Sequence, residues 1–171
     1  MSLVKKIIIF GGSGFIGLSL AKALIKKQYD VVIVSRHRPK DSGNWTFVKW
    51  DAQQLGNWVE HLEGAHAIVN VVGRTVDCVK SPDHCDEILR SRVLSVELIG
   101  QALSLIKQKP KVWAQMSTAH IYGDPPSIIC DETSHIGYGL APYVGQAWET
   151  AFKKALPTSV KPVIFRTSFV I

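Results

Sequence analysis

The sequence predicts an α/β protein: a doubly wound parallel sheet of six or seven strands with helices on both faces. Three observations predict it. Runs such as Val4–Phe10, Val31–Val34 and Ala67–Val72 are apolar at nearly every position, as strands are when both faces of their sheet are covered. These runs alternate with stretches whose apolar residues recur at helical spacing. Glycines stand between the first strand and the first helix. The chain has 171 residues, 46 % apolar and 20 % charged, which excludes disordered, collagenous and low-complexity classes and allows one sizeable core.

The elements are expected in this order. Val4–Phe10 is a buried strand ending at glycines, and Phe15–Lys27 a helix with apolar positions at Ile16, Leu20, Ala23 and Leu24. Val31–Val34 and Phe47–Trp50 are the second and third strands, and Trp58–Leu62 is a short helix. Ala67–Val72 is the fourth strand, and Asp86–Lys107 a long helix with an apolar stripe. Val112–Met116, Tyr143–Ala155 and Val163–Phe165 complete the alternation as strand, helix, strand. In such a sheet ligands sit at the carboxyl ends of the strands, so function is expected in the loops after Phe10, Val34, Trp50, Val72 and Met116.

Twenty Lys+Arg against fourteen Asp+Glu give a net charge of +6. The basic residues are scattered, as on a solvated surface, and form no block of a nucleic-acid-binding kind. Cys78, Cys85 and Cys130 offer no disulfide framework. Beside His84 they lack the paired ligands of a zinc site, so no metal is expected. No apolar run approaches a membrane span, and the amino-terminal stretch lacks the features of a signal peptide. A cytoplasmic protein is expected. Met1-Ser2-Leu3 reads as a remnant of expression.

Gly11, Gly14 and Gly17 form a GxxGxxG pattern between the first strand and the first helix. This is the setting of a dinucleotide-binding, Rossmann-type loop. Gly11 permits the tight turn, Gly14 lets backbone approach a pyrophosphate, and Gly17 lets helix and strand pack closely. The helix start favours an anion through its free N–H groups and its dipole. The whole loop, Gly11, Ser13, Gly14, Phe15, Ile16 and Gly17, is therefore expected to border the cofactor. The ribose-reading position at the end of the second strand reads Val34-Ser35-Arg36-His37-Arg38. No carboxylate stands there to hold two ribose hydroxyls. Ser35 and Arg36 suit a 2′-phosphate instead, which an arginine binds with charge-assisted hydrogen bonds. NADP(H) is expected over NAD(H).

With these motifs the sequence resembles the extended short-chain dehydrogenase/reductase superfamily, in its atypical, sugar-nucleotide-epimerase-like branch. The matching segments run in order along the chain: Gly11–Gly17, Trp50-Asp51, Asn70-Val71-Val72-Gly73, Ser91-Arg92-Val93, Met116–Gly123, Trp148-Glu149 and Arg166-Thr167. The resemblance implies that Asp51 contacts adenine and that Val71, Val72 and Gly73 pass under the cofactor. It implies further cofactor contacts at Arg92 and Ser117. It also implies a catalytic hydroxyl at Thr118 and a catalytic tyrosine at Tyr143, 25 residues later. Asp131-Glu132 is similar to a pair that shapes the loop near the substrate.

In the superfamily, Tyr exchanges a proton with the carbonyl or carbinol oxygen, Ser/Thr hydrogen-bonds that oxygen, and Lys four residues after the Tyr lowers its pKa. Here Ala147 stands at the Lys position, and Lys153 and Lys154 lie too far along the helix. An unassisted tyrosine keeps a pKa of about 10 and is a poor base at neutral pH. Two functions therefore stand side by side. One is an NADP(H)-binding epimerase- or reductase-like protein acting on a carbonyl, alcohol or nucleotide sugar. The other is a non-catalytic dinucleotide-binding module, a redox sensor or scaffold. His120 is a weaker candidate for proton exchange. The expected partners are the cofactor and a small molecule, with a homodimer as the assembly and neither nucleic acid nor membrane. Residues 1–171 read as one cofactor-binding domain, and a substrate-binding half is expected beyond the last strand.

Overall fold

A computed structural model describes residues 4–125, 127, 129–168 and 170. The remnant expected at Met1-Ser2-Leu3, and Pro126 of a Pro/Gly loop, lie outside them. The strands are β1 (Lys6–Phe10), β2 (Asp30–Ser35), β3 (Trp45–Lys49), β4 (Ala67–Asn70), β5 (Val112–Thr118) and β6 (Lys161–Thr167). The helices are α1 (Phe15–Lys26), α2 (Trp58–Leu62), α3 (Pro82–Leu105) and α4 (Leu140–Ala155), with a 3₁₀ turn at Ala119–Tyr122. The strands form one parallel sheet in the order β3-β2-β1-β4-β5-β6. The order reverses between β1 and β4, which places a crevice at their carboxyl ends.

Strand periodicity sorts the core into two layers. Ile8, Phe10, Val32, Val34, Val48 and Ile68 point to the α2–α3–α4 side. Ile7, Ile9, Val31 and Ile33 point to the other side, against Ala21 and Leu24 of α1. Phe10 meets both Trp50 and Trp58 edge-on at 5.3 Å. Trp45, five residues before Trp50, belongs to the α1 side. The tryptophans thus do packing work on opposite faces, and such buried aromatics are among the largest single contributions to a core. On the α3 side, Gly100 lets α4 cross closely, since a Cβ there would fall 2.6 Å from the Ala155 Cβ.

Element ends differ from expectation for local reasons. β4 stops at Asn70 because the Asn70 side chain accepts the Val72 N–H (3.1 Å), bending the chain out of the strand. α3 begins at Pro82, four residues early, because Ser81 caps it by accepting the His84 N–H (3.3 Å), with proline in the first turn. β5 runs on to Thr118, whose hydroxyl accepts the His120 N–H (3.1 Å) and starts the 3₁₀ turn. α4 begins at Leu140 and takes Pro142 into its first turn, where a missing N–H costs little.

Candidate cofactor cleft and active site

A cleft of about 840 Å³ opens at the carboxyl ends of β1 to β4. It is bordered by Gly11, Ser13 and Gly14 after β1, Ser35, Arg36 and His37 after β2, and Trp50 to Gln53 after β3. Val71 to Thr75 after β4 and Glu87, Arg90, Ser91 and Leu94 of α3 complete it.

Gly11 makes the turn at φ +78°, its N–H donating to Val34 O at 2.8 Å. A Cβ there would also sit 3.1 Å from the Val71–Val72 main chain, so the glycine loop and the β4 loop touch backbone to backbone. A Cβ on Gly17 would fall 2.6 Å from Gly11 O and Gly12 Cα. Gly17 therefore seats the helix on its own loop. Close packing on a strand falls to Gly12, whose Cβ would lie 2.8 Å from Ile33 Cγ2. α1 starts at Gly14 with no side-chain cap and no acidic residue in its first turn. Its leading N–H groups thus have no side-chain acceptor beside the cleft, which is the donor set a pyrophosphate fits. Phe15 is exposed, and Phe15, Ile16 and Gly17 are not among the residues that border the cleft. Any part they take is through the main chain.

The two arginines after β2 separate cleanly. Arg36 borders the cleft, whereas Arg38 stacks on Phe47 at 4.8 Å. Ser35 is buried and donates to His37 O at 3.0 Å, so it shapes the loop that carries Arg36. Asp51 accepts from the Gln53 N–H (2.8 Å) and the Gln54 N–H (3.2 Å). These bonds, Gln53's foremost, hold its carboxyl below the ordinary carboxylate range. Trp50 and Trp58 both donate to Gln54 O (2.8 and 3.3 Å), tying the Asp51 turn to the core.

Beneath the β4 loop, the fully buried Asn70 donates to Gln115 Oε1 at 3.1 Å and approaches Ser95 Oγ at 3.4 Å. This satisfied polar set fixes the path of Val71 to Gly73. Arg92 does not border the cleft. It donates to Arg74 O (3.1 Å) and Ile88 O (2.9 Å) and lies over Trp148 at 5.1 Å, and burial lowers its pKa. It fastens the β4 loop to α3 from behind.

Ser117 and Thr118, at the end of β5, have different surroundings. Ser117 is buried and donates to Glu149 Oε1 at 2.7 Å. Glu149 receives both Arg166 Nε and Nη2 at 2.8 Å, and Arg166 Nη1 donates to the Tyr122 hydroxyl at 2.6 Å. Thr118 has its oxygen engaged by His120 N–H, and its hydroxyl proton is the part that can be offered outward. The α4 residue that faces Thr118 is Gly145, where a Cβ would lie 3.1 Å from Thr118 Cγ2. Tyr143 is two residues away, about 200° round the helix, and is 60 % exposed. Asp131 is engaged by Thr133 and Ser134 within its own loop. Among the described residues no group of His, Cys, Asp and Glu is arranged to hold a metal, and no helix is long and apolar enough to cross a membrane.

Arg74, Glu87 and Arg90 also stand on the cleft wall, where no sequence motif points to them. Glu149 and Arg166, which fall in two separate motifs of the sequence, form one ion pair. Ser91, next to Arg92, was the available pointer to the α3 wall.

A crevice at the strand-order reversal with a glycine loop under a helix start defines a dinucleotide-binding α/β protein. Residues 7–168 match the NAD dependent epimerase/dehydratase family, and the chain belongs to that family. It is 24 % identical over 174 residues to epimerase family protein SH2119 of Staphylococcus haemolyticus, covering 98 % of this chain and 56 % of that protein. It is 24 % identical over 168 residues to human epimerase family protein SDR39U1, covering 97 % and 55 %. The crystal structure of human SDR39U1 (isoform 2) with NADPH superposes with a TM-score of 0.76 at 25 % identity, over 94 % of this chain and 52 % of that one. UDP-glucuronic acid 4-epimerase from Bacillus cereus, with UDP-glucuronic acid and NAD, gives 0.76 at 18 % identity over 94 % and 55 %, a likeness of fold. The chain spans about half the length of these relatives.

Proposed function

We propose that this protein binds NADP(H) in the cleft and serves as an epimerase- or reductase-like protein for a carbonyl, alcohol or nucleotide-sugar substrate, in a reducing, cytoplasmic-type compartment. The observation that carries the reading is Arg36 on the cleft wall, with no carboxylate among residues 35–38. A cation there attracts a 2′-phosphate and a carboxylate would repel it. The human relative seen with NADPH supports the same choice. Gly11, Ser13 and Gly14 and the main-chain donors of Phe15 to Gly17 would hold the pyrophosphate. Ser35 and Arg36 would hold the adenosine ribose, Asp51 the adenine, and Val71 to Gly73 the underside. Arg92 serves by holding the β4 loop. When bound, the cofactor supplies or accepts a hydride. Thr118 would donate a hydrogen bond to the substrate oxygen, and Ser117 would hold the end of β5 through Glu149.

A second reading has its own support. Tyr143 is 60 % exposed and Ala147 stands where the activating lysine would be, so the Tyr-x-x-x-Lys pair is incomplete. A dinucleotide-binding sensor or scaffold, acting as a homodimer, needs no such pair.

The test is fluorescence titration of the wild type and Arg36→Ala with NADPH and NADH. The expected result is a preference for NADPH that the variant loses, by about tenfold to a hundredfold for one charge-assisted contact. A wild type that binds neither dinucleotide would overturn both readings, and an unchanged variant would overturn the NADP(H) preference alone. Turnover of NADPH against a panel of carbonyl compounds separates enzyme from sensor. Thr118→Ala should abolish any rate found.

A further inference from the structure

The β4 loop, where it meets α3, carries a cation at the cleft wall with no assigned role. Arg74 follows Gly73, and its main chain is fixed from both sides. Its N–H donates to Ser91 Oγ at 3.0 Å, and its carbonyl accepts from Arg92 Nη1 at 3.1 Å. Its guanidinium pairs through Nη1 with Glu87, while its Nε is buried with no partner. The side chain is 34 % exposed, and Arg74 and Glu87 both border the cleft. Arg90 also borders it, but pairs with Asp86 on the open surface, at 3.3 Å and with both side chains at least 60 % exposed.

Arg74 sits on a loop that is held against the glycine loop. The loop it sits on is joined to β1 by the Val71 N–H donating to Phe10 O at 3.0 Å. The same loop touches Gly11, where the anion-binding helix start begins. A guanidinium has five donors in a fixed fork, and one carboxylate leaves most of that capacity unused. A buried donor without an acceptor is unfavourable until a ligand or water completes it.

We propose that Arg74 is a second anion-recognising residue of the cleft. It takes the phosphates common to both nicotinamide dinucleotides, while Arg36 takes the 2′-phosphate found in one. Glu87 holds the guanidinium in place and competes with the ligand for it. The proposal rests on the dinucleotide reading above and adds a division of labour to it.

The two arginines then have different signatures. Arg74→Ala should weaken NADPH and NADH by the same factor, about tenfold, where Arg36→Ala weakens NADPH selectively. Glu87→Gln should tighten both dinucleotides about threefold, by freeing the guanidinium of a competing charge. A merely structural Glu87 could not give that gain. Each is read by NADPH and NADH fluorescence titration of the full chain, with circular dichroism to check folding. Should Arg74→Ala fail to fold, Glu87→Gln and Arg74→Lys, expected to lose less than tenfold for both ligands, decide the matter. The proposal is overturned if Arg74→Ala folds and leaves both affinities within twofold, if it weakens NADPH alone, or if Glu87→Gln weakens both. A wild type that binds neither dinucleotide instead overturns the reading beneath it.

Discussion

At the scale of single residues, the contacts of the glycine loop set Gly17 apart from Gly14. A methyl on Gly17 would press on the main chain of Gly11 and Gly12 at 2.6 Å, and main chain cannot rotate away. Gly17→Ala should cost roughly 1–3 kcal/mol, the range for overpacking a tight contact, and should weaken dinucleotide binding with it. Gly14 sits at φ −77°, and its added methyl would meet only Gly11 O, at 3.3 Å. Gly14→Ala should stay within about 1 kcal/mol of wild type and act mainly on binding, through closer crowding of the pyrophosphate. Urea unfolding of both variants, read beside an NADPH titration, checks the contrast. Equal stability losses would mean that the loop is looser than its contacts imply.

Among elements, the joint that matters is where α4, β5 and β6 meet. Glu149 from α4, Ser117 from β5 and Arg166 from β6 lock three elements with one carboxylate, itself 4 % exposed. Burial works to raise the Glu149 pKa, but the hydrogen bonds from Arg166 and Ser117 outweigh it and hold it below the ordinary carboxylate range. The sign of the linkage follows. A carboxylate with a depressed folded pKa contributes stability that is fully present above its unfolded pKa. That contribution is lost as pH falls through the ordinary carboxylate range toward the lower folded value. Glu149→Gln should therefore unfold more easily at neutral pH, by roughly 2–3 kcal/mol. This is below the usual cost of breaking a fully buried pair, because the Arg166 side chain is 22 % exposed. The variant should also have a flatter stability profile on acidification. Denaturant midpoints of the two proteins across the acidic range measure it, and parallel profiles would remove Glu149 as the titrating group.

At the scale of the whole molecule, the fold was legible because its signals are strong and local. Short, β-branched, doubly apolar runs that alternate with helical stretches mark buried strands of a covered sheet, and the glycines at 11, 14 and 17 point to a loop that borders the cleft. The site was legible only where one loop makes it. Arg36 could be read from its position after β2. Arg74 could not, because its place depends on Ser91, Arg92 and Glu87 of a helix that begins elsewhere in the chain. That Gly145 is the α4 residue packed on Thr118 was hidden too, since spacing along the chain does not say which helical face packs inward. The same whole-molecule view yields a measurement needing no substrate. The cleft is built from loops of four strands and one face of α3, so a ligand there binds the folded chain and has no counterpart in the unfolded one. At a free NADPH concentration of about 100 times its Kd, mass action adds about 2.7 kcal/mol of stability. For a domain of this size that is an upward shift of about 5–10 °C in the unfolding temperature. NADH at the same concentration should shift it less, and Arg36→Ala should bring the two shifts together. A melting temperature indifferent to NADPH up to saturating amounts would show that the cleft does not take a dinucleotide, whatever the glycine loop suggests.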